Sequence, residues 1–159
     1  MNKVHYSSKN QEWETPQEFF DKLNKEFNFS VDVCATVSNT KCGFYYNKER
    51  DALSLEWPSA TIWMNPPYGR EIGKWVKRAY ESAMTSPSPV VCLLPARTDT
   101  KWWHEYVMQA DEIRFVQGRL TFSDADSPAP FPSCVVVFRG VIDRKHGLNV
   151  PVCSSMKAK

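Results

Sequence analysis

The segment Asp32-Val33-Cys34-Ala35-Thr36 that closes the first strand-like run holds no glycine, no two cysteines stand in a CxxC pair, and no apolar stretch approaches 18 residues. The last absence excludes a membrane-spanning helix in the sequence as given. The five cysteines, Cys34, Cys42, Cys92, Cys134 and Cys153, are odd in number and unpaired in spacing, so neither a disulfide framework nor a zinc site is expected. Cys92 and Cys134 lie inside apolar runs, where a buried free thiol is the ordinary state. His5, His104 and His146 show no ligand spacing, and no metal site is expected. Residues 1–9 are polar and lack the apolar core of a signal peptide, which together with the cysteine usage leads us to expect a cytoplasmic protein. Net charge is also small, at +2, too little to demand a polyanionic partner. It is uneven: residues 1–60 carry 7 basic and 9 acidic side chains, which leaves 13 and 9 for residues 61–159. A nucleic-acid surface would lie in the second part.

The 159 residues fit one domain able to bury roughly 70% of its unfolded surface. Residues 1–11 read as a flexible arm, 12–140 as a single domain and 141–159 as a polar, poorly ordered tail. Thr15-Pro16-Gln17-Glu18 has the form of a capping box with proline at the first helical position. The helix it opens gathers Phe19, Phe20, Leu23 and Phe27 on one face. Strands are expected over Phe29–Val33, Phe44–Tyr46, Thr61–Met64, Val90–Leu94, Ile113–Gln117 and Ser133–Phe138. Helices are expected from Glu71 to about Met84 and through Trp102, Trp103, Tyr106 and Val107, the two tryptophans in the core. This alternation implies an α/β fold with a mostly parallel sheet covered by helices on both faces. The final two strands have no helix between them and should pair antiparallel.

The most informative residues are Asn65-Pro66-Pro67-Tyr68, set between an apolar strand and a helix. In open α/β sheets that is where ligands bind. Two consecutive prolines remove two backbone donors and stiffen the loop, and the residue before a proline is held extended. An Asn amide oxygen beside a rigid, unpaired carbonyl makes two acceptors that can grip an amino group. The ring of Tyr68 could stack on the base carrying it. The bland alternative is a proline-rich turn capped by tyrosine.

These four residues resemble the NPPY signature of amino-methyltransferases. With Trp13-Glu14-Thr15-Pro16, Asp32-Val33-Cys34-Ala35, Asp51-Ala52-Leu53, Leu93-Leu94-Pro95-Ala96-Arg97-Thr98-Asp99-Thr100, Gly118-Arg119-Leu120 and Ala129-Pro130-Phe131-Pro132-Ser133, the chain resembles the phage-type DNA adenine methyltransferase (Dam) family over about residues 12–140. The resemblance implies an abbreviated Rossmann-like fold that uses S-adenosylmethionine to methylate the 6-amino group of a flipped adenine in double-stranded DNA. A GATC-type target and a phage-encoded protein acting in the bacterial cytoplasm go with it. Asn65, Pro66, Pro67 and Tyr68 would be the methyl-transfer loop. Trp13, Thr15, Pro16, Asp32, Cys34, Ala35 and Asp51 would hold the cofactor. The glycine-free segment after Asp32 departs from the Gly-rich loop of wider methyltransferases. RNA adenine, a protein glutamine, or binding without turnover are the rival readings.

Other residues carry two readings each. Asp32 lies between two valines, where an unpaired carboxylate is costly, so a strand-end charge aimed at a ligand explains it better than a core ion pair. Asp51 suits a cofactor contact or a simple turn. Arg70, Lys74, Lys77 and Arg78 form either a phosphate-binding face or a solvated one. Arg97 and Arg119 lie on loops suited to DNA contact, while Asp99 or Thr100 suits a helix cap. Phe131, between prolines, could stack on a flipped base or plug the core.

Overall fold

The computed structural model describes residues 12–144 and 150–159. The arm expected over residues 1–11, with His5, and also His146, lie outside the described residues. Helix α1 runs Gln17–Phe27 and buries Phe19, Phe20 and Leu23 on one face. It stops at Asn28, whose φ of 54° is left-handed and whose N–H bonds the Asn24 carbonyl. Asparagine is second only to glycine in tolerating that conformation at a helix end. The capping box is not formed. Pro16 occupies the cap position without a side-chain bond, and the Thr15 hydroxyl is engaged elsewhere.

Seven strands follow: β1 (Val31–Asp32), β2 (Phe44–Tyr45), β3 (Ile62–Met64), β4 (Val90–Pro95), β5 (Glu112–Gln117), β6 (Ser133–Phe138) and β7 (Val152–Lys157). Helices α2 (Ile72–Thr85) and α3 (Lys101–Glu105) complete the set. The sheet order is β2-β1-β3-β4-β6-β5-β7. β1, β2, β3 and β4 are mutually parallel, and β6 runs antiparallel to both of its neighbours. Every residue of β4 and β6 is buried, so both faces of the sheet centre are covered. α2 turns Ile72, Val76, Ala79 and Ala83 inward, at the spacing of a helical apolar stripe. Thr100 caps α3, its hydroxyl accepting from the Trp103 N–H. Trp103 is buried and Trp102 half-buried beside it.

The chain passes from β1 outward to β2, then returns across β1 to β3 and continues to β4. Strand order therefore reverses between β1 and β3, which opens a crevice at their carboxyl ends. Asp32 ends β1, and Asn65 follows β3 by one residue. The topology brings these two residues to one place although 33 positions of sequence separate them.

The tail corrects the sequence reading. Residues 152–157 form β7, paired in parallel with all six residues of β5. Without it β5 would expose a row of unpaired backbone groups. The strand is held by backbone bonds, extended by Val152 N–H to the Asp111 carbonyl and Ala158 N–H to the Gln117 carbonyl. Its side chains are nearly all exposed, so no hydrophobic alternation announces it.

Gly140 marks the tightest backbone approach in the fold. A Cβ there would sit 2.2 Å from the carbonyl carbon and oxygen of Pro87. The following residue, Val141, donates its N–H to the Ser86 carbonyl, so the two segments cannot part freely. Gly140→Ala is expected to cost about 1–3 kcal/mol through overpacking. Urea denaturation checks this, and an unchanged midpoint would contradict it.

Candidate active site

A cavity of about 430 Å³ opens at the carboxyl ends of β1 and β3. Its floor is made by Asp32 to Thr36 and by Trp63, Asn65, Pro66 and Pro67, and its opposite wall by residues 12–15. Ser38, Asn39, Lys41, Asn47, Lys48, Asp51 and Trp75 close the sides. The volume falls within the range of small-molecule sites.

Asp32 is 3% exposed. One carboxylate oxygen accepts from the Cys34 N–H at 3.1 Å and the other from the Lys41 N–H at 3.0 Å. The carboxylate thus ties both ends of the loop 34–41 to the strand end, a task a Gly-rich turn performs by conformation alone. The Asp32 backbone also takes part, its carbonyl accepting from the Tyr46 N–H, while Ala35 N–H bonds the Tyr46 carbonyl. Burial pushes the Asp32 carboxyl above its ordinary value, and the Lys41 and Cys34 amides pull it partly back. A raised carboxyl pKa means the folded state binds the proton more tightly, so this group favours the fold as pH falls through the raised value. At neutral pH its charge is kept at a cost in stability. Burial likewise pushes the Cys34 thiol well up, with Asp32 adding to the effect. Cys34 lines the cavity floor as a thiol whose neutral form is favoured by that burial.

Asn65 is held from across the cavity. Its Nδ2 donates to the Trp13 carbonyl at 2.5 Å and to the Thr15 hydroxyl at 2.9 Å. Its Oδ1 is buried and bonded to nothing among the described residues. A buried acceptor without a donor costs about 1–3 kcal/mol and calls for an explanation. No donor among the described residues reaches the Pro66 carbonyl either. Both oxygens are thus without a donor among the described residues.

Tyr68, unlike the other three residues of the loop, does not line the cavity. It is 6% exposed, its hydroxyl donates to the Leu93 carbonyl at 3.0 Å, and burial raises its pKa well above the usual phenol range. Phe131 and Phe122 meet its ring edge-on at 5.5 and 6.3 Å. Trp13 packs on both phenylalanines at 5.3 Å. Phe131 thus covers Tyr68, and a base stacking on that ring requires Phe131 to move.

The other sequence candidates divide. Pro16 lies just outside the cavity wall, at the start of α1. Asp51 lines the cavity from a turn with φ of 40°, and its carbonyl accepts from Ser54. Arg70 and Arg97 are exposed and form no ion pair among the described residues. Lys74 and Lys77 are paired along α2 with Glu71 at 2.7 Å and Glu81 at 3.7 Å. Arg78 donates to the Leu53 carbonyl, and Arg119 to the Ala129 carbonyl at 3.4 Å.

Sequence reasoning missed the polar loop wall, above all Asn39, Lys41, Asn47 and Lys48. Its one available signal was position, since a polar loop leaving the carboxyl end of a strand beside the topological switch has to face the crevice. Replacing the buried carboxylate tests the wall directly. Asp32→Ala is expected to speed hydrogen exchange at the Cys34 and Lys41 amides at least tenfold, read by NMR, with the β4–β6 amides unchanged. Equal protection in both proteins would remove Asp32 from its organising role.

Comparison with known proteins agrees with this geometry. The family model described as DNA N-6-adenine-methyltransferase (Dam) matches residues 3–145. A DNA N-6-adenine-methyltransferase of Haemophilus phage HP1 (strain HP1c1) is 34% identical over 106 residues, covering 65% of this chain and 61% of that protein. The protein of the same name in Escherichia phage T1 is 32% identical over 111 residues, covering 69% of this chain and 46% of that protein. The chain thus spans about half to three-fifths of the length of these relatives. The family model spans most of the chain, which therefore belongs to the DNA N-6-adenine-methyltransferase (Dam) family.

Proposed function

We propose that this protein transfers the methyl group of S-adenosylmethionine to the exocyclic 6-amino group of an adenine flipped out of double-stranded DNA. The observation that carries the reading is the buried, donor-less Oδ1 of Asn65 beside the open Pro66 carbonyl. An aromatic amine has two N–H groups and a lone pair delocalised into its ring. Two acceptors on one side of it take both hydrogens, draw the nitrogen toward tetrahedral geometry and localise the lone pair on the opposite side. Catalysis is then positioning and electrostatic preorganisation.

The cavity suits the methyl donor by its charge. Five acidic side chains line it, Glu12, Glu14, Asp32, Asp51 and Asp124, against two lysines, Lys41 and Lys48. S-adenosylmethionine, which carries ammonium and sulfonium cations and one carboxylate, supplies an electrophilic methyl group when bound there. Asp32 and the wall of residues 12–15 hold its methionine end, and Asp51 meets its adenine. Cys34 and Ala35, half-buried and buried, let the backbone approach closely where glycine is absent.

Flipping the base costs a few kcal/mol. Stacking on an aromatic ring returns roughly 1–3 kcal/mol, and the Tyr68–Phe131–Phe122 cluster offers such rings once Phe131 swings aside. Arg70 and Arg97, exposed and unpaired among the described residues, reach phosphates first. Lys74 and Lys77 join them by exchanging surface ion pairs worth about 0–1 kcal/mol each. Arg78 and Arg119 contribute from behind, each already committed to a carbonyl.

Methyl transfer from radiolabelled S-adenosylmethionine to DNA, RNA or protein is the test, with GATC among the DNA sequences offered. Label in N6-methyladenine of DNA is the expected product, and label confined to RNA or to glutamine would replace this reading. Asn65→Ala is expected to retain less than a tenth of the turnover, a loss above ~1.4 kcal/mol in barrier. Neutralising Arg70 and Arg97 is expected to lower the slope of log K against log salt by roughly 0.9 for each phosphate no longer neutralised. Neutralising Lys74, Lys77 and Arg78 should lower it by less per residue, since each already has a partner within the protein. Equal slopes for wild type and all variants would move the DNA surface elsewhere.

A further inference from the structure

The Asn65 carboxamide can sit in two orientations that differ by a half-turn and look alike in shape. Only one presents an acceptor to the cavity. The choice is made by Trp13, because a carbonyl oxygen accepts hydrogen bonds and never donates them. The group facing it at 2.5 Å must be the Nδ2 amine, and the second N–H goes to the Thr15 hydroxyl at 2.9 Å. Thr15 is 3% exposed and leaves the helix cap empty to make this contact. The segment bearing both partners is itself fastened down. Ser123 N–H bonds the Glu14 carbonyl at 2.9 Å, Glu14 N–H bonds Asp124 at 3.1 Å, and Lys48 pairs with Glu12 at 2.7 Å.

We propose that Thr15 is a positioning residue for methyl transfer, whose hydroxyl, together with the Trp13 carbonyl, locks the Asn65 carboxamide with its oxygen toward the substrate amine and makes position 65 selective for an amide over a carboxylate. This rests on the reading that Asn65 Oδ1 grips the amine. A half-turn of the carboxamide would set Oδ1 against the Trp13 oxygen and point an NH2 group at the incoming amine, which leaves two repulsive contacts and no grip. The Trp13 carbonyl, which cannot donate, sets which way round the carboxamide sits, and removing the Thr15 hydroxyl strips one of the two bonds that hold it in its plane. The barrier rises because the acceptor is misaligned, while the surface that binds DNA keeps its shape.

The amide selectivity has its own signature. A carboxylate introduced at position 65 would hold an oxygen against the Trp13 oxygen in a buried place, which disfavours the ionised form. Its protonated form restores the pattern, with the O–H donated to Trp13 and the remaining carbonyl oxygen turned to the substrate. The folded variant is therefore active in the protonated state and loses activity as pH rises through the raised carboxyl pKa.

Three variants test this beside Asn65→Ala, each first checked for a wild-type circular dichroism spectrum. Thr15→Val, nearly isosteric, is expected to lower kcat about tenfold, the weight of one hydrogen bond, with KM for DNA within about twofold. Thr15→Ser, which keeps the hydroxyl, is expected to recover most of that rate. Asn65→Asp is expected to show a kcat that, relative to wild type, rises as pH falls from 8 to 5. A wild-type kcat in Thr15→Val, a loss that Thr15→Ser does not recover, or an Asn65→Asp to wild-type ratio that does not rise on acidification overturns the proposal. Activity surviving in Asn65→Ala would instead overturn the underlying reading of Asn65.

Discussion

The hydrogen bond between the Asn65 amide nitrogen and the Trp13 carbonyl organises this molecule more than any other contact, since it spans 52 residues of sequence and closes one wall of the cavity onto its floor. It fixes the position of the segment before α1, the orientation of the amide, and the open state of the amide oxygen. Stability alone would not leave that oxygen buried without a donor. The neighbouring Asp32 tells the same story, a carboxylate held in a buried place at a cost and spent on ordering a loop around the same cavity. Two costs at one crevice are what a binding site looks like in energetic terms.

The sheet explains why the crevice is there. Strand order reverses between β1 and β3, so the loops leaving those strands diverge and cannot cover the gap between them. The double proline keeps the β3 loop from folding back to satisfy its own carbonyls. In the place of a glycine-rich turn, the loop after β1 uses an acidic side chain to gather its amides. The crevice is thus shaped here by a side-chain bond instead of backbone freedom, which makes Asp32 responsible for shape as well as charge.

Much of this was legible in the residues. The capping-box pattern located α1, the apolar runs located β3 to β6, and the proline pair located the acceptor loop. Three features of the structure were not legible, for identifiable reasons. β7 is an edge strand held by backbone pairing, so its exposed side chains carry no alternation to detect. Thr15 matched a helix-cap motif yet spends its hydroxyl on a residue 50 positions away, a partner that local pattern cannot reveal. Lys74 and Lys77 read as a phosphate-binding or a solvated face, and their pairing with Glu71 and Glu81, one turn away on the same side, was not part of that reading. In each case a partner outside the pattern being read decided the outcome. Phe131, which admitted two readings, rests in the structure as the cover of Tyr68, an arrangement that leaves its role toward a base to its motion.

The most direct test of the account is a structure of the protein with a DNA duplex and a non-reactive analogue of S-adenosylmethionine. The account requires an extrahelical adenine whose amino nitrogen lies about 3 Å from both Asn65 Oδ1 and the Pro66 carbonyl oxygen, with Asn65 Nδ2 still on Trp13 and Phe131 displaced from Tyr68. An adenine amine out of reach of those two oxygens, or an Asn65 amide turned to present its nitrogen, would contradict it.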